Sequence, residues 1–161
     1  MSTMNVLICQ QPKELVWKQR EIPIPGDNEA LIKIKSVGIC GTDIHAWGGN
    51  QPFFSYPRVL GHEICGEIVG LGKNIADLKN GQQVAVIPYV ACQQCPACKS
   101  GRTNCCEKIS VIGVHQDGGF SEYLSVPVAN ILPADGIDPQ AAALIEPFAI
   151  SAHAVRRAAI A

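Results

Sequence analysis

Four cysteines crowd into one short stretch of this chain, and this cluster restricts the possible folds more than any other feature. Thiolates two residues apart can bind one ion from a single tight turn, and a fourth completes a tetrahedron with Zn–S bonds of about 2.3 Å. Four sulfur ligands leave no open position, so the spacing predicts a structural zinc site. Iron–sulfur clusters use the same ligand set, and Cys105 is an alternative fourth ligand by spacing alone. The pattern is C-x2-C-x2-C-x7-C, formed by Cys92, Cys95, Cys98 and Cys106.

The remaining cysteines and the N-terminus indicate a reducing compartment. The chain has 8 cysteines, but its opening residues, MSTMNVLICQ, contain neither the basic segment nor the apolar core of a secretory signal. No stretch approaches the ~18 apolar residues of a membrane-spanning helix. We therefore expect a cytoplasmic protein whose thiols stay reduced and whose clustered cysteines bind metal rather than form disulfides.

The composition fits one globular domain of short elements. The chain has 161 residues, of which 47% are hydrophobic and 17% charged, so it can form a core and is not disordered. With 13 basic and 14 acidic residues, its net charge of -1 offers no field for nucleic acid or an anionic membrane. The 15 glycines and 11 prolines favour short strands and turns. Five strand-like runs (4–9, 15–20, 30–39, 64–71 and 84–87) predict a mainly β barrel or sandwich with short helices.

The C-terminal part changes to helical character. Asp138 is placed as an N-cap, with Pro139 at the first helical position. The pattern predicts a helix over 141–145, an interruption at Pro147, and a second, alanine-rich helix over 148–161. The second pattern contains no C-cap signal before the last residue.

A second set of potential metal ligands is dispersed along the chain. The motif C-G-T-D-x-H begins at Cys40, and G-H-E ends with His62 and Glu63. Each fragment alone is weak evidence for a metal site, because an isolated cysteine or histidine is more often an ordinary buried residue. Together they supply a thiolate, an imidazole and a carboxylate, which is the composition of a catalytic zinc site with one open position. Glu146 adds a further carboxylate that its local pattern does not place.

These three motifs, in this order, resemble those of the zinc-dependent medium-chain alcohol dehydrogenases. The resemblance implies a GroES-like, partly open β-barrel with a zinc-binding lobe over about 88–108. It also implies a following Rossmann domain, but the chain contains no G-x-G-x-x-G after a strand. We therefore expect residues 1–150 to form the catalytic domain and 151–161 to begin the helix that leads to an absent nucleotide-binding domain. On this reading the chain has no residue that binds NAD or NADP.

The same resemblance implies two zinc ions per chain and a role for each motif residue. The catalytic ion is expected on Cys40, His62 and Glu63, with Glu146 near the open position. Thr42 resembles the hydroxyl that takes the alcohol proton, and His45 the imidazole that passes this proton to solvent. Asp43 resembles the carboxylate that accepts the second ring N–H of the ligating histidine.

The substrate class follows from finer resemblances. The run L-I-E-P at 144–147 resembles that of sorbitol and other polyol dehydrogenases. The segments 56–63, 113–123 and 146–150 resemble bacterial sugar-acid dehydrogenases, which implies oxidation of L-galactonate to D-tagaturonate. A small-molecule alcohol or sugar acid is then the partner, and the full-length enzyme is expected to be a homo-oligomer. The alternatives are a non-catalytic zinc-binding interaction module and a GroES-like structural subunit without zinc.

Overall fold

The computed structural model describes residues 2–159, which form ten strands, four helices and two single turns of 3-10 helix. The strands are β1 (Thr3–Gln11), β2 (Glu14–Glu21), β3 (Glu29–Gly38), β4 (Arg58–Val59), β5 (Glu63–Leu71), β6 (Gln83–Val86), β7 (Tyr89–Val90), β8 (Ser110–Val111), β9 (Tyr123–Pro127) and β10 (Ile131–Pro133). The helices are α1 (Gly41–Gly48), α2 (Pro96–Lys99), α3 (Pro139–Ala143) and α4 (Ile145–Ala158). The five strand-like runs of the sequence correspond to β1, β2, β3, β5 and β6, whereas β4, β7, β8, β9 and β10 were not predicted.

The strands form two main sheets that meet along one edge. The larger sheet has the order β10-β6-β5-β3-β9, and the smaller has the order β2-β1-β4, with antiparallel pairing throughout. The two sheets are joined where the Leu7 N–H donates to the Phe120 carbonyl at 2.8 Å and the Glu122 N–H donates to the Asn5 carbonyl at 3.2 Å. Within residues 2–159 the remaining edges are not paired with each other, so the mainly β, partly open barrel expected from the sequence is confirmed.

The main core lies against the five-stranded sheet, and the side-chain alternation of β3 explains how. Ile32 is fully buried, whereas Lys33 and Lys35 on the opposite face are exposed. Gly66 on β5 allows close approach of the two strands, because a Cβ there would overlap the Ile32 side chain and the Lys33 carbonyl. The fully buried members of this core are Ala30, Ile32, Ile64, Ile68, Val84, Val86, Ile112, Val126 and Ile131.

The first C-terminal helix begins where expected, but the break between the two helices lies at a different residue. The Asp138 carboxylate accepts the backbone N–H groups of Gln140 at 2.9 Å and Ala141 at 3.2 Å, which caps α3. The predicted interruption at Pro147 is wrong. The break lies at Leu144, and Pro147 sits in the first turn of α4, where its missing N–H would have no helical partner anyway.

Helix α4 is largely exposed. None of its residues is buried, and it runs continuously across position 150, where the domain boundary was predicted. The boundary therefore stays a prediction, and residues 160 and 161 of the predicted helix lie outside the described residues. Among the helices of residues 2–159, none has both the length and the apolar character needed to cross a bilayer.

Two neighbouring residues of β5 test this description of the core. Ile68 is completely buried and Val69 is 37% exposed on the other face. Ile68→Ala leaves a cavity between the sheets and is expected to lower the free energy of unfolding by about 3 kcal/mol. Val69→Ala is the matched control and should change it by about 0.5 kcal/mol. Urea denaturation of both variants measures the difference, and similar losses in the two would contradict the assigned register.

Candidate metal centres

A two-stranded ribbon closes the cysteine lobe at its base. Strands β7 and β8 pair through Tyr89 with Val111 and Val90 with Ser110, so the residues between them project from the barrel as one loop. Cys95 is the N-cap of α2, and Pro96 begins this single helical turn with a backbone angle already suited to it. The ribbon and the turn together bring the four cysteines to one place.

The sulfur atoms of the lobe have the spacing of a tetrahedral site. The four Sγ atoms of Cys92, Cys95, Cys98 and Cys106 all lie within 4.8 Å of one another. Cys92 Sγ and Cys98 Sγ are 4.0 Å apart, close to the roughly 3.8 Å expected between sulfurs on one zinc ion. Cys105 is exposed and lies outside this set, with its Sγ accepting from the Asn104 side chain at 3.5 Å. The positions of the sulfur atoms thus place Cys106 in the cluster and Cys105 outside it. Sequence spacing alone had left this choice open.

The protonation equilibria of these thiols favour a bound cation. The backbone N–H groups of Gln94 and Cys95 lower the pKa of Cys92 to about 6, whereas burial and the neighbouring thiols raise the pKa of Cys98 to about 12. Without a positive charge among them, the four sulfurs cannot all be thiolates at neutral pH. Because a metal ion requires thiolates, binding should release protons. The four residues therefore fit a closed zinc site.

The second set of ligands is assembled by the pairing of β3 with β5. Gly38 at the end of β3 lies opposite Glu63 at the start of β5. Cys40 follows as the N-cap of α1, and His62 immediately precedes β5. One ligand atom from each of Cys40, His62 and Glu63 lies within 4.8 Å of the other two. Residues far apart in sequence thus converge on one point.

A buried carboxylate holds the two fragments together. Asp43 is only 3% exposed. Its Oδ2 accepts the Cys40 N–H and its Oδ1 accepts the Gly61 N–H, each at 2.9 Å. The predicted hydrogen bond from the His62 ring is not formed at the observed separation, because Asp43 Oδ1 lies 4.0 Å from His62 Nδ1. In this structure Asp43 fixes the backbone on both sides of the site.

A glycine-rich loop packs against Gly61, the residue that precedes His62. Gly61 has a φ of 88°, in the region that favours glycine, and its carbonyl accepts the Gly119 N–H at 2.8 Å. A Cβ at Gly113 or Gly118 would overlap the Gly61 backbone. The two loops thus pack backbone to backbone, which leaves His62 little freedom.

The three converging residues fit a metal ion on chemical grounds. His62 and Glu63 are 6% and 7% exposed. His62 Nδ1 is buried and has no hydrogen-bond partner among the described residues. Since this nitrogen lies 4.0 Å from Asp43 Oδ1, the other ring nitrogen is the one available to a metal ion. The buried Glu63 carboxylate forms no ion pair among the described residues, and a buried carboxylate without a compensating charge is unfavourable. A zinc ion satisfies the donor set, and three protein ligands leave its fourth position open.

The other predicted site residues lie at different distances from this centre. Thr42 Oγ1 is 3.6 Å from Cys40 Sγ, so this hydroxyl borders the ligand set. His45 is exposed on α1. Glu146 is outside the converging group, and its Oε1 accepts a hydrogen bond from Tyr89 Oη at 2.6 Å.

Tyr89 is a polar residue of this region that the sequence analysis missed. Burial first, and then the hydrogen bond with Glu146 and the negative charges of Glu146 and Cys40, raise its pKa well above the ordinary value, so the hydroxyl stays protonated. Its only signal in the sequence was a phenol in an otherwise apolar run that leads to Cys92.

An antiparallel, partly open barrel that carries a Cys-His-Glu set beside a separate four-cysteine lobe defines the class of zinc-type dehydrogenase catalytic domains. The family model of the alcohol dehydrogenase GroES-like domain matches residues 26–136. This chain belongs to that family.

Curated relatives extend over nearly the whole chain. The starvation-sensing protein RspB of Escherichia coli K12 is 43% identical over 152 residues, which cover 93% of this chain and 44% of RspB. An L-threonine 3-dehydrogenase of Legionella pneumophila strain Philadelphia 1 is 38% identical over 156 residues, covering 93% of this chain and 46% of that enzyme. The chain therefore spans a little under half the length of the relatives it matches.

Solved structures have the same fold. The rspB alcohol dehydrogenase of E. coli CFT073, in complex with NADH, matches 98% of this chain and 46% of its own with a TM-score of 0.90 and 40% identity. Galactitol-1-phosphate dehydrogenase from E. coli matches 96% of this chain and 45% of its own with a TM-score of 0.91 and 33% identity.

Adjacent cysteines provide a test of the lobe. Cys106 belongs to the sulfur cluster and Cys105 does not. Cys106→Ser removes one of four ligands and is expected to release the zinc of the lobe and destabilise it, because metal binding here contributes directly to folding. Cys105→Ser is the matched control and should keep the metal. Elemental analysis of both purified variants measures the content, and the reverse result would mean that Cys105 is the ligand.

A pair of glycines tests the second site. A Cβ at Gly38 would overlap Glu63 Oε2 and press on the rest of that carboxylate, whereas a Cβ at Gly41 would meet nothing within 4 Å. Gly38→Ala is therefore expected to displace Glu63 and weaken zinc binding at this site by at least about tenfold, and Gly41→Ala should leave it unchanged. Chelator competition measures the affinity.

The metal of the cysteine lobe serves as the internal control for this pair. Its retention in Gly38→Ala would show that the fold is intact. Equal zinc affinity in the two variants would contradict the placement of Glu63 as a ligand.

Proposed function

We propose that this chain is the catalytic domain of a zinc-dependent NAD(P) oxidoreductase that oxidises a secondary alcohol of a polyol or sugar acid. The observation that carries the proposal is the convergence of Cys40, His62 and Glu63 on one point, since three protein ligands would leave the fourth position of a zinc ion open. In this proposal residues 1–150 are the catalytic domain, and 151–161 begin the helix that leads into a nucleotide-binding domain.

The charges of the proposed ligands suit this chemistry. The Cys40 thiolate and the Glu63 carboxylate contribute two negative charges, and His62 is neutral, so they balance a divalent ion. When bound there, zinc supplies Lewis acidity that lowers the pKa of a hydroxyl group. The four-cysteine lobe would hold a second, structural ion that takes no part in the reaction.

The proton and the hydride of the alcohol leave by different routes. Thr42 Oγ1 lies 3.6 Å from Cys40 Sγ, and in this proposal it takes the hydroxyl proton. His45 is exposed on the same helix and can release that proton to solvent. The carbon–hydrogen bond breaks as a hydride departs, and no side chain of this site can accept it. The acceptor must be a nicotinamide, which the proposed second domain would hold.

The relatives support the reaction class more strongly than any one substrate. One similar structure contains NADH, and similar proteins include enzymes named for galactitol 1-phosphate and for L-threonine. The cofactor and the two named substrates are all compatible with oxidation of a secondary alcohol. The narrower proposal, L-galactonate oxidised to D-tagaturonate in the cytoplasm by a homo-oligomer, rests on the sequence segments that resemble sugar-acid dehydrogenases.

A non-catalytic zinc module is the weaker alternative. Such a module would need the cysteine lobe but would have no use for three further ligands with an open position. The buried Glu63 carboxylate beside Cys40 and His62 would then be an unexplained cost. This group favours the enzyme.

The proposal predicts a specific pattern of activity. The full-length protein, assayed by NAD(P)H absorbance with L-galactonate, galactitol 1-phosphate and L-threonine, should oxidise a polyol or sugar-acid substrate. Residues 1–161 alone should show no turnover, since holding the two reactants together supplies ~7–11 kcal/mol of the barrier. Glu63→Gln should weaken zinc retention more than Glu146→Gln does.

Two controls separate the causes of a negative result. Cys40→Ser should abolish turnover while the lobe keeps its zinc, and Cys105→Ser should leave turnover unchanged. Unimpaired activity of Cys40→Ser would refute the proposed site. Saturable NAD binding to residues 1–161 alone would refute the assignment of the cofactor to a second domain. Turnover of L-threonine only would overturn the polyol and sugar-acid assignment.

A further inference from the structure

One polar pair stands beside the Cys40–His62–Glu63 set without belonging to it. Tyr89 on β7 and Glu146 on α4 are 57 residues apart, and their side chains are joined by the 2.6 Å hydrogen bond. This distance is typical of a hydroxyl donating to an ionised carboxylate, which is among the stronger hydrogen bonds in proteins. The bond occupies one carboxylate oxygen and leaves the other available to a ligand or a water molecule.

The backbone that carries Tyr89 is held firmly. Asn130 is 7% exposed, and its Nδ2 donates to the carbonyls of Ile87 at 2.8 Å and Tyr89 at 3.1 Å. The carbonyl of Pro88 accepts the Ile112 N–H at 2.9 Å. Tyr89 therefore projects from a segment fixed on two sides. Glu146 lies on α4, which has no buried residue. Tyr89 is therefore the more rigid member of the pair, and its hydrogen bond restrains the Glu146 side chain.

The surroundings of the pair strengthen their interaction. Both residues line one cavity, whose other walls are apolar. Tyr89 is 40% exposed, so water reaches the pair and the apolar walls strengthen its hydrogen bond only in part. The apolar lining residues are Val86, Ile87, Leu132, Ile145, Ala149 and Ile150.

We propose that Tyr89 is a positioning residue, whose hydroxyl holds the Glu146 carboxylate at the edge of the Cys40–His62–Glu63 metal site. This inference rests on the proposed function, since it needs a metal ion at that site. Ile145, the neighbour of Glu146, packs against the cluster that contains Cys65, two residues after Glu63 on β5, which places the pair near the Glu63 end of the site. Residues that orient groups around a metal from outside its ligand set typically contribute 10–100-fold to metal affinity. Tyr89 acts on the metal only through Glu146.

The experiment measures zinc affinity at this site by chelator competition in the full-length protein, together with the visible spectrum of its Co²⁺ form. Tyr89→Phe and Glu146→Gln should each weaken zinc binding about tenfold and should change the cobalt spectrum in the same way. The double variant should again lose about tenfold, rather than about a hundredfold, because the two residues act as one unit. Tyr123→Phe removes the same atom from β9 and should change neither quantity.

Each outcome decides the matter. Losses that multiply in the double variant would show that Tyr89 acts independently of Glu146, and an affinity of Tyr89→Phe within twofold of the unaltered protein would show that it does not act at all. Either result overturns the inference and leaves the proposed function standing. If the unaltered protein binds only the metal of the cysteine lobe, the proposed function fails and the role of Tyr89 fails with it.

Discussion

The geometry of the Cys40–His62–Glu63 set depends on the buried carboxylate of Asp43. This residue is part of the first turn of α1, and it accepts one backbone N–H from each of the two fragments that carry the ligands. A carboxylate buried to this degree is tolerated only when its oxygens have donors, so the same bonds that satisfy Asp43 also fix Cys40 against Gly61. The pairing of β3 with β5 brings the fragments near each other, and Asp43 sets their final separation.

The two cysteine-containing centres meet opposite electrostatic requirements. Four thiolates on one divalent ion leave a net negative charge, and the lobe compensates with backbone donors. The N–H groups of Cys92 and Lys108 point at Cys106 Sγ, at 3.3 and 3.4 Å. The proposed Cys40–His62–Glu63 site would be neutral with a divalent ion. A neutral centre with an open position can exchange an anionic ligand for a neutral one, whereas a closed, negative centre serves the fold.

The sequence predicted those features that arise from local spacing. The alternation of buried and exposed residues in β3 could be predicted because side chains on a strand point to opposite faces in turn. The cysteine lobe could be predicted because its four ligands lie close together in the sequence. The helix break at Leu144 was misplaced, since a proline can begin a helix as well as interrupt one. The Tyr89–Glu146 hydrogen bond could not be predicted from a sequence pattern, because the two residues are 57 positions apart and meet only in the folded barrel.

The lobe joins the barrel through a very short connection, and this limits how the chain can vary in length. Tyr89 and Cys92 both lie just after β6, so a residue inserted between Val86 and Tyr89 would shift the metal lobe and carry the phenol away from Glu146 at the same time. The stretch from Lys99 to Cys105 is exposed throughout and only links the third ligand to the fourth. Added length costs little in such a loop. Relatives of different size should therefore differ in that stretch, while the connection before Cys92 keeps its length.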